Sequence, residues 1–217
     1  MPLELHPCTE SDLADLAVIM KSAFNSLGPG MMQILIPSPL PADYLEKTTN
    51  KHIKSFREEK DVTYLKIIDT DLDGKMIAGA KWRINKKERT EEQIQMTLPV
   101  PGKDEEGRPG AQDFMWFLNR VRKEYMGTQP FYFLHILATD PDHHRRGAGK
   151  MLLKWGLDQA DRDGLPAFLE ASLMGRPLYA SLGFKTRHEE VWDLQKYGLE
   201  GTDISTVMIR DPVKQVM

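Results

Sequence analysis

Cysteine is nearly missing from this chain: Cys8 is the one thiol in 217 residues. A lone cysteine excludes an internal disulfide and any zinc site built from several thiolates; the adjacent His143 and His144 suggest a metal, but neighbouring histidines on a turn rarely chelate together, so a solvated loop is expected there and no metal. The lone thiol fits a reducing compartment. Charge of either sign is not in surplus. Lys and Arg number 29 against 32 Asp and Glu, for a net charge of -3. A dedicated nucleic-acid binder carries a basic excess, so nucleic acid is not an expected partner. Long apolar runs are lacking too. No stretch approaches the roughly 18–20 residues of a membrane helix. Residues 1–6 offer neither a basic start nor an apolar core of signal length. No repeat of solenoid type is present. The expectation is a cytoplasmic protein without membrane contact, one domain over residues 1–217, monomer or homodimer.

What is present is ordinary globular composition, 41% hydrophobic and 28% charged. Leu3 and Leu5 suggest a short first strand. Leu13, Leu16, Ala17 and Met20 follow at helical spacing behind the capping run Thr9-Glu10-Ser11-Asp12. Residues 25–41 are rich in Gly, Pro and Met and read as a loop with one helical turn at 31–35. Residues 41–60 read as a second helix. Residues 62–68 and 75–84 are strands of a hairpin turned at 69–74. Residues 85–109 are charged, partly helical near 91–96 and otherwise mobile. A helix follows at 112–125. Residues 131–139 are almost continuously apolar, as in a strand buried on both faces. Then come a helix at about 147–162, a strand at 167–172, a short helix at 176–181, and strands at 191–194 and 204–210. This order predicts a mixed α/β sheet with helices on its faces.

The sharpest feature is the run Thr139-Asp140-Pro141-Asp142-His143-His144-Arg145-Arg146-Gly147-Ala148-Gly149-Lys150. A buried strand ends, the chain turns, and a helix begins at two glycines. The first amides of a helix lack internal partners and sit at the positive end of its dipole. Small residues there let a phosphate approach the backbone. Arg145 and Arg146 add positive charge. The run is not a dinucleotide fingerprint, since Leu152 stands where a third glycine is needed. Nor is it a P-loop, since His144 and Met151 occupy its required positions.

The run resembles the acetyl-CoA motif of the GNAT superfamily of N-acetyltransferases: Gln or Arg, two residues, Gly, one residue, Gly or Ala. His144 stands at the Gln/Arg position. Downstream, Ser172-Leu173-Met174-Gly175-Arg176-Pro177-Leu178-Tyr179-Ala180-Ser181-Leu182-Gly183-Phe184 resembles the family's Asn-x-x-Ala-x-x-Leu-Tyr-x-x-x-Gly-Phe segment, with Ser172 in place of Asn. The style of the first run is similar to that of fungal members. The resemblance implies an α/β (α+β) fold with a mixed, mostly antiparallel sheet of about six or seven strands flanked by helices, carrying an insertion at about 85–130.

It also implies a site. Main-chain groups around Leu137, Ala138 and Thr139 pair with the pantetheine arm of acetyl-CoA, and Ser172 touches it. Amides from Arg146 through Gly147, Ala148 and Gly149 to Lys150 take the pyrophosphate, and His144 contributes mainly through its backbone. An amide of this stretch can polarise the thioester carbonyl. Tyr179 donates a proton to the departing thiolate. For the base, His135 has a suitable intrinsic pKa, and alternation puts it beside Leu137 and Thr139. Family members that acetylate arylalkylamines resemble this, with a His on the same strand. A hydrogen-bonded core histidine, Glu170 on the neighbouring strand, and a water chain remain alternatives. The acceptor is expected between residues 25–41 and the C-terminal strands, with 85–129 as a lid over it. Three functions stay open: an acetyltransferase for a small-molecule amine, one for a protein or peptide, and a CoA-binding regulatory module. Trp82, Trp116, Trp155 and Trp192 are expected in the core or the acceptor walls. Arg120-Val121-Arg122-Lys123 is expected on a solvated helix face.

Overall fold

The structure is a computed structural model and describes residues 2–27, 30–36 and 39–213; four positions of the 25–41 loop (28, 29, 37 and 38) lie outside the described residues. The strands β1 (Leu3–Pro7), β2 (Val62–Asp69), β3 (Lys75–Asn85), β4 (Phe131–Thr139), β5 (Ala167–Ala171), β6 (Lys185–Asp193) and β7 (Thr202–Arg210) form one sheet. Their order is β1-β2-β3-β4-β5-β7-β6. Every pairing is antiparallel except β4 with β5. The α-helices are α1 (Asp12–Asn25), α2 (Met31–Leu35), α3 (Tyr44–Glu58), α4 (Glu91–Thr97), α5 (Pro109–Tyr125), α6 (Ala148–Asp163) and α7 (Arg176–Ser181). This is the mixed, mostly antiparallel sheet that the family resemblance implies. Among the described residues, no helix is long and apolar enough to cross a membrane.

Helix α6 lies on one face. Its buried stripe of Ala148, Leu152, Leu153, Gly156, Leu157 and Ala160 follows the helical repeat. Each fully buried leucine contributes about 1.5–3 kcal/mol. The stripe packs with Leu65, Ile77, Tyr132, Leu134 and Leu169, and with Tyr179 of α7. Gly156 sets how close the helix comes. A Cβ there would stand 2.4 Å from the Trp82 indole, so only glycine lets α6 seat on that ring. Trp82 also donates from Nε1 to the Leu152 carbonyl at 3.3 Å.

The opposite face has two cores. Helix α1 buries Leu13 and Leu16 against Tyr64, Met76 and Ala138. Helix α5 buries Phe117, Leu118 and Val121 against Phe131, Phe133, Phe168 and Val207. The segment expected as a lid is therefore, at α5, a layer of the core. Segment 85–109 is also tied down. Thr90 and Gln93 form a capping box at the start of α4, and Asn119 Nδ2 donates to the Pro99 carbonyl at 2.9 Å. Trp82 and Trp192 are buried as expected, but Trp116 on α5 is exposed.

One expected boundary and one expected exposure change. Strand β6 begins at Lys185, not 191, since its charged first half pairs with β7 along the sheet's outer edge. Arg122 does not lie on a solvated face. Its side chain is largely buried and paired with Glu170.

Candidate active site

The site begins where β4 and β5 part. They pair only at Tyr132↔Ala167 and Phe133↔Phe168. Beyond those rungs, the edges of Leu137, Ala138 and Thr139 on β4 and of Leu169 to Ala171 on β5 do not bond to one another. An opened sheet edge offers main-chain donors and acceptors to an extended, amide-bearing ligand.

At the head of this gap the chain turns through a 3-10 turn (Pro141–His143) into α6. Arg145 has φ of 62° and Gly147 a φ of 94°. Two left-handed residues with one residue between them curl the backbone so that successive amides face inward, a shape that binds anions. Gly147 needs its glycine for this φ, and a Cβ there would meet nothing within 4 Å. Among the described residues, the amides of Arg145, Arg146, Gly147, Ala148, Gly149 and Lys150 have no hydrogen-bond acceptor; the first bond of the helix is Met151 N–H to the Gly147 carbonyl, 3.1 Å. Six free amides at the positive end of a 16-residue helix fit a diphosphate.

Side chains hold the turn rather than fill it. Arg146 lies 2.6 Å from the Asp69 carboxylate at the end of β2 and donates from Nη1 to His143 Nδ1 at 3.1 Å. Burial pushes the Asp69 carboxyl up, but hydrogen bonds from Arg146 and the Asp71 amide outweigh it and hold it below the usual carboxylate range. The His144 ring bonds back to the Thr139 carbonyl at 3.2 Å. So Arg146 anchors the cradle where positive charge for the ligand was expected of it. Arg145 and Lys150 are exposed at its rim.

Gly149 brings three elements together. Its Cβ position lies 3.4 Å from Leu178 of α7, 3.8 Å from Leu137 and 3.9 Å from Thr139 Oγ1. One residue on from Leu178, Tyr179 is buried, and burial raises its phenol to about 12. Gly175 makes room for it, since a Cβ there would stand 2.7 Å from the Tyr179 ring. Ser172 closes the approach to α7, its Oγ accepting from the Gly175 amide at 3.3 Å.

His135 is not on this face. The β3–β4 register runs Lys81↔Ile136 and then Trp82↔Leu134, so His135 is the extra residue of a bulge. Strict alternation fails there. Its ring stacks on Phe133 at 5.2 Å, on the α5 side, while Leu137 packs with α6. Burial, then the charges of Arg122 and Lys81, hold the His135 pKa well below 6.5. Its Nδ1 is buried without a partner among the described residues. Glu170 is on the same side, but Arg122 donates to its two oxygens at 2.7 and 3.2 Å. The sequence reading missed Arg122 and Asp69. Neither carries a local signal, because each acts through a partner far along the chain.

The sequence profile of the acetyltransferase (GNAT) family matches residues 31–184. The chain belongs to this family. As a GNAT acetyltransferase it uses acetyl-CoA as donor, and the free amides and opened strands fit that co-substrate. By fold it is similar to arylalkylamine N-acetyltransferase 2 from Aedes aegypti, with a TM-score of 0.68 at 14% identity over 97% of this chain and 99% of that one. It is also similar to a histone acetyltransferase HPA2 and related acetyltransferase from Corynebacterium glutamicum (TM-score 0.62, 16% identity, 100% of both chains). A third relative in fold is yncA from Salmonella typhimurium, solved with its cofactor acetyl-CoA (TM-score 0.58, 13% identity, 100% of this chain and 98% of that one).

Proposed function

We propose that this acetyltransferase acetylates the amine of a small molecule by direct attack within a ternary complex. The observation that carries the choice of acceptor is the closure of the sheet face that holds His135. Arg108 donates from Nη2 to the carbonyls of Ile34 and Leu35, at 2.8 and 2.7 Å, and so ties α2 to the start of α5. With 85–109 held in place and α5 packed into the core, this face is covered rather than laid open as a groove. A covered face favours a compact amine over a polypeptide.

In this reading the amides of Arg145 to Lys150 hold the pyrophosphate, and the opened edge at Leu137, Ala138 and Thr139 aligns the pantetheine arm. Ser172 keeps α7 in place beside it. Holding both reactants in line supplies much of the rate. His135 takes the proton of the arriving ammonium, which its depressed pKa leaves it free to do. The amine nitrogen bonds to the acetyl carbon, the carbon–sulfur bond breaks, and the nitrogen releases its second proton, which restores the Tyr179 phenol once that has protonated the sulfur. Tyr179 gives its proton to the sulfur as it leaves. Glu170 is held by Arg122 and serves position rather than proton transfer.

A thiol-release screen over arylalkylamines, polyamines, amino acids and peptides tests the acceptor class. Turnover with one or more small amines is expected. Turnover confined to peptides would overturn the reading, and so would acetyl-CoA binding with no turnover on any amine.

A further inference from the structure

The amide cradle contains one residue in an unfavourable conformation. Arg145 has a φ of 62°, in the left-handed region that a residue with a Cβ rarely enters. Such a conformation persists only where the surroundings hold it. Both of its neighbours are held. The His144 ring bonds to the carbonyl of Thr139, the last residue of β4, at 3.2 Å. Arg146 lies 2.6 Å from the carboxylate of Asp69, the last residue of β2. Arg145 is thus spanned by two ties to separate strand ends.

Asp69 is the firmer of the two anchors. His144 is exposed, whereas the Asp69 side chain is only 1% exposed. The main chain of Asp69 pairs with Leu3 of β1 on one side and with Lys75 of β3 on the other. One carboxylate oxygen accepts from the Asp71 amide at 3.1 Å, and the other faces Arg146. Among the described residues Arg146 is the one cation that pairs with it. A buried carboxylate stripped of its cation is strongly disfavoured, so Arg146 is not free to leave. A charge-assisted bond of this kind is short and strong. Asp69 itself is buried too deeply to touch a bound ligand.

We propose that Asp69 is a positioning residue for the donor: through Arg146 it keeps Arg145 left-handed, and the amides from Arg145 to Lys150 turned inward, before acetyl-CoA arrives. Binding to amides already in place avoids the cost of ordering them. Asp69 therefore sets the affinity for the diphosphate end of acetyl-CoA. It leaves the pantetheine arm, which pairs along β4, unaffected. The inference rests on the reading that these amides hold the pyrophosphate.

Titration of the intact protein with coenzyme A, and with pantetheine, which has the arm but no diphosphate, tests this. The wild type should bind coenzyme A far more tightly than pantetheine. In Asp69→Asn the Kd for coenzyme A should rise about ten- to a hundredfold, the range of a lost hydrogen bond to a charged group, while the Kd for pantetheine stays within about twofold. Asp69→Asn combined with Arg146→Gln should weaken coenzyme A no more than Arg146→Gln alone, because both open one tie. An unchanged Kd for coenzyme A in Asp69→Asn overturns the proposal. An equal loss for both ligands, which would mean general damage to the fold, overturns it too, as do losses that multiply in the double variant. A wild type that binds pantetheine as tightly as coenzyme A would instead contradict the cradle reading, and Asp69 would have nothing to position. Should Asp69→Asn fail to fold, Arg146→Gln opens the same tie from its other end and must show the same ligand-selective loss.

Discussion

Arg122 of α5 grips both carboxylate oxygens of Glu170 on β5, at 2.7 and 3.2 Å, with each side chain only 12% exposed. This pair couples the insertion to the strand that forms one wall of the cleft. Breaking a buried pair by removing one charge costs about 3–5 kcal/mol. Gln keeps one acceptor, so Glu170→Gln should cost about 3 kcal/mol, or roughly 6–12 °C in Tm. Its kcat at a temperature where it stays folded should fall less than about tenfold, below the range of a lost general base. A kcat loss of about a hundredfold or more with an unchanged Tm would make Glu170 the base instead.

His135 is expected to act as base in its neutral form. Burial and the nearby Arg122 and Lys81 lower its pKa, so the neutral form persists below the ordinary histidine range. The acid limb of kcat/KM should therefore lie below about pH 6.5. His135→Gln should lower kcat/KM by about 10²–10⁴ and abolish that limb. An acid limb that survives the substitution would assign it to another group.

Tyr179 is expected to stay protonated through the working range, with its phenol raised to about 12 by burial. No basic limb from this group should appear below about pH 10. Tyr179→Phe should cut kcat by about 10²–10⁴ while the Kd for acetyl-CoA barely moves. Gly175→Ala places a Cβ 2.7 Å from the same ring. It should lower kcat in the same way without loss of donor affinity, and steady-state kinetics with titration of acetyl-CoA separates the two quantities.

Acid should destabilise the fold through buried histidines. His52 lies 3.0 Å from the Tyr64 hydroxyl, and burial, then the Lys81 charge, lowers its pKa to about 4. The unfolded chain binds a proton near pH 6.5 that the folded protein refuses until about pH 4. Stability is thus full above 6.5 and falls as pH drops across that window, by up to about 3 kcal/mol. The fall in Tm between pH 6.5 and 4 should be shallower in His52→Gln. Equal slopes would contradict this assignment.

Much of this was legible in the sequence, for local reasons. The apolar run at 131–139, the turn at 139–150 and the segment from Ser172 to Phe184 each carry their own pattern. The structure returns each where it was expected, as β4, the amide cradle and α7. What was not legible depends on pairing at a distance. Nothing in Phe133-Leu134-His135-Ile136 marks a bulge, which exists only in register with β3. The charged start of β6 lacks the alternation of a half-buried strand, because it runs along the sheet's outer edge. Arg122 reads as one charge in a basic run until β5 brings Glu170 to it.

The central claim is that the free amides from Arg145 to Lys150 grip a diphosphate. A crystal structure with acetyl-CoA tests it most directly. The account predicts pyrophosphate oxygens within hydrogen-bonding distance of those amides and the pantetheine arm in the gap between β4 and β5. Acetyl-CoA bound elsewhere, with those amides left to water, would contradict it.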